Sequence, residues 1–203
     1  MNKILFLLVA SLFASNNSVA QTASTREVEI YSGIKGKVYS NEAFFVNAPD
    51  SPVQIKDIKA THTPSETASL AEEIWKQLGR NMSESAKAQV RLFAKEGLNI
   101  TIDAEGEDAV AVKFGVVAYD AFKEYLGGLT AITMDPPKKS MEWDFKPAYL
   151  FKFEKYGVVS VYVRQVRLKN GRIWNYTPEI ISKELSQKYG QITKDQVINV
   201  DLK

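Results

Sequence analysis

His62 is the only histidine of the chain, and there is no cysteine. Hydrolases that activate a serine or cysteine nucleophile use histidine as the base, so such a site would have to be built on His62. No Gly-x-Ser-x-Gly elbow accompanies it, and a loop histidine following a strand is the simpler reading. One histidine without any thiolate also argues against a zinc site. Asp103, Glu105, Glu107 and Asp108 gather carboxylates around Gly106, but their spacing is not that of an EF-hand loop and no closing bidentate glutamate follows. They read as a solvated turn. Asp120, Asp135, Glu142 and Asp144 are the candidates for glycoside hydrolysis, which needs two carboxylates about 5 to 9 Å apart. Spacing brings no two of them together. No catalytic residue, metal or cofactor is therefore expected, and the chain is not read as an enzyme. A hydrolase using His62 or two close carboxylates is the alternative that a cleft around them would support.

The aromatic residues are a denser signal. Trp143, Phe145, Tyr149, Phe151, Phe153, Tyr156, Tyr162 and Trp174 all fall between positions 143 and 174, with Arg164, Arg167 and Arg172 interleaved. Such a set can stack on sugar rings or hold a peptide strand. The ligand-binding candidates are Trp143, Tyr149, Tyr156, Tyr162, Arg164, Arg167 and Trp174. Aromatic residues of a β-sandwich usually build its core, so exposure decides. A glycan platform requires at least two of Trp143, Tyr149, Tyr156 and Trp174 to be exposed and roughly coplanar.

The elements that must position these residues begin with a leader. Residues 1–20 carry Lys3, an apolar run from Ile4 to Phe13 and the small ending Ser18-Val19-Ala20, the pattern of a secretory signal peptide. The run is too short to span a bilayer, which takes about 20 apolar residues. The expected mature chain starts at Gln21, is periplasmic or secreted, and has no integral membrane segment. Losing Lys3 lowers the formal charge from +2 to +1, which gives no reason to expect nucleic acid as a partner. Residues 21–52 read as an N-terminal arm closed by the turn-forming Asn47-Ala48-Pro49-Asp50-Ser51-Pro52. The main domain is expected over 53–174, with a helical insertion at about 65–96 and a C-terminal helical extension over 175–203.

Within the insertion, Leu70, Ile74, Trp75 and Leu78 have helical spacing, Ser65 or Thr67 can cap the start, and Gly79 stops it. A second helical turn or two from Ser83 would place Ala86, Val90 and Phe93 on one side, while "QVRLFA" reads equally as a strand. From Leu98 the period becomes two. "LNITIDA" alternates, the acidic turn follows, and "AVAVKFGVVAYDAF" sets Val110, Val112, Phe114, Val116 and Ala118 on one face as the second arm of a hairpin. Asp120 ends that strand and is expected to bond turn amides. Val158 to Val163 is apolar on both faces, as for a strand inside layered structure. Asn170-Gly171 favours a type I′ two-residue turn, which would pair Leu168 with Ile173 and Arg167 with Trp174. The guanidinium would then lie over the indole.

The polar turn "AEGED", the long strand ending in Tyr119-Asp120, Pro136-Pro137 and the following "SMEWDF" resemble the immunoglobulin-like β-sandwich modules of exported bacterial proteins, in particular the FxLYD type, over Leu98 to Trp174. The chain departs from that pattern where Phe122-Lys123-Glu124 precedes Gly127-Gly128. The resemblance implies a module that binds or scaffolds rather than catalyses, and assigns no ligand. The expected fold is thus mostly β (α+β), an immunoglobulin-like antiparallel β-sandwich with a helical insertion and a C-terminal helix. Its expected role is a non-catalytic binding or assembly module whose partner is a protein, met through a sheet edge, or a cell-wall glycan.

Overall fold

The computed structural model describes residues 23–146, 153 and 155–198. Along the chain these form β1 (Ser24–Tyr31), β2 (Ile34–Val46), β3 (Gln54–Thr63), α1 (Ser65–Leu78), a 3-10 turn (Gly79–Asn81), α2 (Glu84–Phe93), β4 (Gly97–Glu105), β5 (Ala109–Tyr119), β6 (Tyr125–Thr133), β7 (Met141–Phe145), β8 (Val158–Leu168), β9 (Ile173–Asn175), α3 (Pro178–Lys188) and α4 (Lys194–Ile198). The protein is mostly β, and its large sheet is curved nearly into a barrel. The expected "AYLFKF" strand and Tyr149 lie outside the described residues.

The sheet runs β6-β5-β8-β2-β3-β4-β7, with β1 added to β2 and β9 to β8. β2 joins its two halves because it is long enough to belong to both. Tyr39 to Asn41 pair antiparallel with β3, while Glu42 to Val46 pair parallel with β8. Buried Asn41 sits at this change, its Nδ2 donating to the carbonyls of Lys155 and Gly157 at 3.1 Å each. The segment expected as an arm is therefore a hairpin, β1–β2, whose second strand runs through the middle of the sheet. The expected β4–β5 hairpin does not form. β4 pairs with β3 and β7, β5 with β6 and β8, so the acidic turn carries the chain from one half of the sheet to the other.

The Asn170-Gly171 reading also needs correcting. Arg167 pairs with Ile173 and Val166 with Trp174. Gly171 N–H bonds the Leu168 carbonyl at 2.9 Å, Leu168 N–H bonds Arg172 O at 2.9 Å, and only Gly171 takes positive φ. Asn170 instead accepts the Arg172 amide on Oδ1 at 3.0 Å. This is the three-residue loop with glycine in the left-handed position. The slip of one residue moves Trp174 to the other face, so Arg167 is not its cross-strand partner. Both central residues do take positive φ in the two-residue loop at Ser32-Gly33, with φ of 43° and 81°.

The interior of the curved sheet is apolar, built from alternate residues such as Ile55, Ile100, Ile102, Val112, Phe114, Val116, Val161 and Val163. Two helical pairs cover parts of the outside. α3 and α4 bury Phe44, Val117, Tyr119, Val158 and Tyr162, so β8 is apolar on both faces as its sequence suggests. α1 and α2 bury Ile30 and Val38 of β1 and β2. α1 has the expected limits, but neither Ser65 nor Thr67 caps it; Pro64 holds the cap position without a side-chain bond. The reason is the sheet. Continuing the β2–β3 register would set Pro64 opposite Lys37, and proline has no amide to donate. The Thr67 hydroxyl takes that place, accepting from Lys37 N at 2.9 Å and donating to Lys37 O at 2.7 Å. α2 is capped by Ser83, whose Oγ accepts from Ala86 N at 3.3 Å, and "QVRLF" is its second half rather than a strand.

Candidate binding surface

The structure disperses the aromatic and arginine candidates. Trp143, on β7, packs partly buried on the interior with its ring 5.7 Å from Phe114, and its indole N–H donates to Ile132 O of β6 at 3.2 Å. It thereby bridges the two ends of the sheet. Tyr162 is fully buried under α4, its hydroxyl donating to Val197 O at 3.0 Å. Arg164 reaches Thr130 Oγ1 at 3.0 Å and Ile198 O, at the end of α4, at 3.1 Å. Trp174 is half-buried and donates to Asp50 Oδ2 at 3.1 Å. Arg167 is exposed on β8. Tyr156 is 58% exposed in the turn before β8, with Lys155 Nζ 4.9 Å from its ring centroid.

Several residues of possible chemistry hold structural contacts, while Glu142 and Asp144 line a cleft on the outer face of the sheet. Asp120 Oδ1 accepts the amides of Phe122 and Glu124 at 2.8 Å each, the turn role expected of it. Asp103 accepts the Ser140 amide at 2.6 Å. Glu105 pairs with Lys56, and Asp108 with Lys169 at 3.5 Å. Among the described residues no three metal-ligating side chains come together. His62 lies between the rings of Tyr39, at 5.9 Å, and Phe153, at 5.7 Å. Its Nδ1 is buried without a hydrogen-bond partner among the described residues. Burial holds its pKa below the usual histidine value, against an opposing pull from Glu66, so it is neutral at neutral pH.

A cleft of about 610 Å³ opens on the outer face of the sheet, beside the end of α2. Its floor is the polar alternation of the strands, with Thr61 and Thr63 of β3, Asn99 of β4 and Asp144 of β7. Interior residues such as Ile100 and Ile102 occupy the other positions of the same strands. Val38, Leu92 and Phe93 add apolar wall. Cations line the β1 and α2 side, where Arg26, Arg91 and Lys95 stand; Glu142 and Asp144 line the β7 side, and Glu96 and Lys146 complete the rim. Asn99 Nδ2 donates to Asp144 Oδ1 at 2.9 Å, and Lys95 lies 4.0 Å from the same carboxylate. Arg91 stacks over Trp75 at 4.3 Å. Arg26 makes no ion pair with another described residue. These residues come from β1, β2, β3, α2, β4 and β7, and no local sequence signal groups them. The nearest hint is the polar half of each alternating strand.

β1 contributes Arg26 to this cleft, and its open edge is the side turned away from β2. Lys37 turns its backbone N–H and C=O to Thr67, away from β1. Glu27, paired with Lys37 across the hairpin, therefore turns its own groups outward, and so does Thr25. Glu29 shares that parity, and its outward carbonyl is taken by Gln89 Nε2 of α2 at 2.8 Å. Among the described residues no strand pairs with β1 on this side. The open ladder is Ser24 to Val28.

No helix among the described residues is long and apolar enough to cross a membrane. No protein-family model, no curated protein and no solved structure matches the chain.

Proposed function

We propose that this protein is an exported, non-catalytic binding or assembly module that takes a protein partner along a sheet edge. The observation that carries the reading is the open ladder of β1, whose Arg26 also lines the cleft. Unpaired edge amides and carbonyls are a template for strand addition, and neighbouring pockets give such recognition its specificity. Export rests on the leader-like residues 1–20, and mass measurement of the secreted form should give a chain beginning at Gln21. The near-neutral mature charge makes nucleic acid a poor partner. The immunoglobulin-like sandwich description belongs with this proposal. Two mostly antiparallel half-sheets face each other over one core in its favour; the barrel-like curve and the parallel β2–β8 pair weigh against it.

A cell-wall glycan is the competing partner. Of the described platform candidates Trp143, Tyr156 and Trp174, Tyr156 is the exposed one, while both of the indole N–H groups are committed within the fold. The test is retention of the mature protein on immobilised extended polypeptide against retention on purified cell-wall glycan. Polypeptide retention alone is the expected result; retention on glycan alone, or on neither, rejects the reading.

A further inference from the structure

Resting on the binding-module reading, we propose that the recognition edge is Ser24 to Val28 of β1, and that it takes an extended antiparallel peptide carrying an acidic side chain opposite Arg26. The outward hydrogen-bonding residues are Thr25 and Glu27, so an added antiparallel strand faces Arg26 across a non-hydrogen-bonded pair. That is the pair in which opposite side chains come closest, with Cα atoms about 4.5 Å apart. Arg26 shares the outer face with Val38, its cross-strand partner, and lines the cleft. The two acids of the strand are already answered from their own hairpin. Glu27 pairs with Lys35 at 3.4 Å, and Glu29 Oε1 accepts the Gly33 amide at 3.0 Å. Arg26 is thus the charge of β1 that an incoming strand meets without an answering partner among the described residues. Beyond Val28 the ladder is closed by Gln89, which limits the footprint to a short segment.

A second copy of the chain is the obvious rival occupant, and charge disfavours it. Outward residues must pair with outward residues, so a two-fold axis must centre on a residue. Centred on Arg26 it sets two guanidinium groups side by side; centred on Glu27, two carboxylates. Like charges directly opposite destabilise such a pair. Centred on Thr25, the strands overlap only from Ser24 to Arg26.

The test uses the mature protein, isotope-labelled for amide exchange. The probes are a seven-residue peptide of alternating valine and threonine with one central glutamate, and the same peptide with lysine. The glutamate peptide should slow exchange of the Thr25 and Glu27 amides and bind about tenfold more tightly than the lysine peptide. Arg26→Ala should weaken it about threefold to fivefold. Thr25→Pro removes one outward donor while leaving the β1–β2 ladder intact and should abolish protection; Arg26→Glu, which leaves the backbone untouched, should invert the peptide preference. Equal binding of both peptides, or no inversion in Arg26→Glu, overturns the proposal. Protection of β6 amides in place of β1 also overturns it but leaves the binding-module reading standing. No protection at any edge by either peptide defeats both.

Discussion

The outer face of β2, β8 and β5 lies under α3 and α4, whereas the outer face of β3, β4 and β7 is open beside the end of α2, although all six strands share one interior. The difference is written in the alternate residues. On β8 the outward positions are Val158, Ser160 and Tyr162, all buried; on β4 they are Asn99, Thr101 and Asp103, all partly exposed. An apolar outward row must be covered, and a polar one need not be. The covered face carries stability, while the open face keeps polar groups in contact with solvent.

Tyr162→Ala should break the covered face most severely. The side chain is fully buried and tied to α4, and emptying such a site costs about 3 to 5 kcal/mol. Urea denaturation measures it, and a loss below about 1 kcal/mol would mean that α3 and α4 contribute little. Gly115→Ala probes the same contact from the other strand. A methyl there would fall 2.2 Å from the Tyr162 ring, and overpacking of this kind costs about 1 to 3 kcal/mol. At the other extreme, Lys59→Ala on the exposed outer side of β3 should change stability by less than about 0.5 kcal/mol. A cost equal to that of Gly115→Ala would show the open face to be as structural as the covered one.

Between these lies a pH effect from the interior end that both faces share. Burial lowers the His62 pKa in the folded chain, so the unfolded chain takes the proton first as pH falls. The stability contributed by neutral His62 is complete above the unfolded value, about 6.5, and is lost as pH drops through the lower folded value. The urea midpoint should fall between pH 7.5 and 5 by more in the wild type than in His62→Gln. Equal falls would place the pH dependence elsewhere.

Much of the local structure was legible. Leu70, Ile74 and Leu78 mark α1, and Asp120 holds its turn amides, because each depends on neighbours within a few residues. Val158 to Val163 also announce a strand buried on both faces. The Asn170 turn was misread because asparagine has two local options, positive φ or accepting an amide on its side chain, and the strands it joins selected the second. The Thr67 cap was misread because its hydroxyl satisfies a strand thirty positions away. The aromatic cluster drew attention for its density, yet Trp143, Tyr162 and Trp174 serve seams and helix contacts that involve Ile132, Val197 and Asp50.

By itself the sequence determined which residues alternate, which stretches carry helical spacing, and that neither thiol chemistry nor a histidine cluster is available. Periodicity is short-range physics, and it survives without the fold. Tertiary structure decided that β4 and β5 part company, that β2 serves both halves of the sheet, and that Arg26, Arg91 and Asn99 meet in one cleft. Those outcomes depend on pairing between distant strands, where one residue of register changes every neighbour.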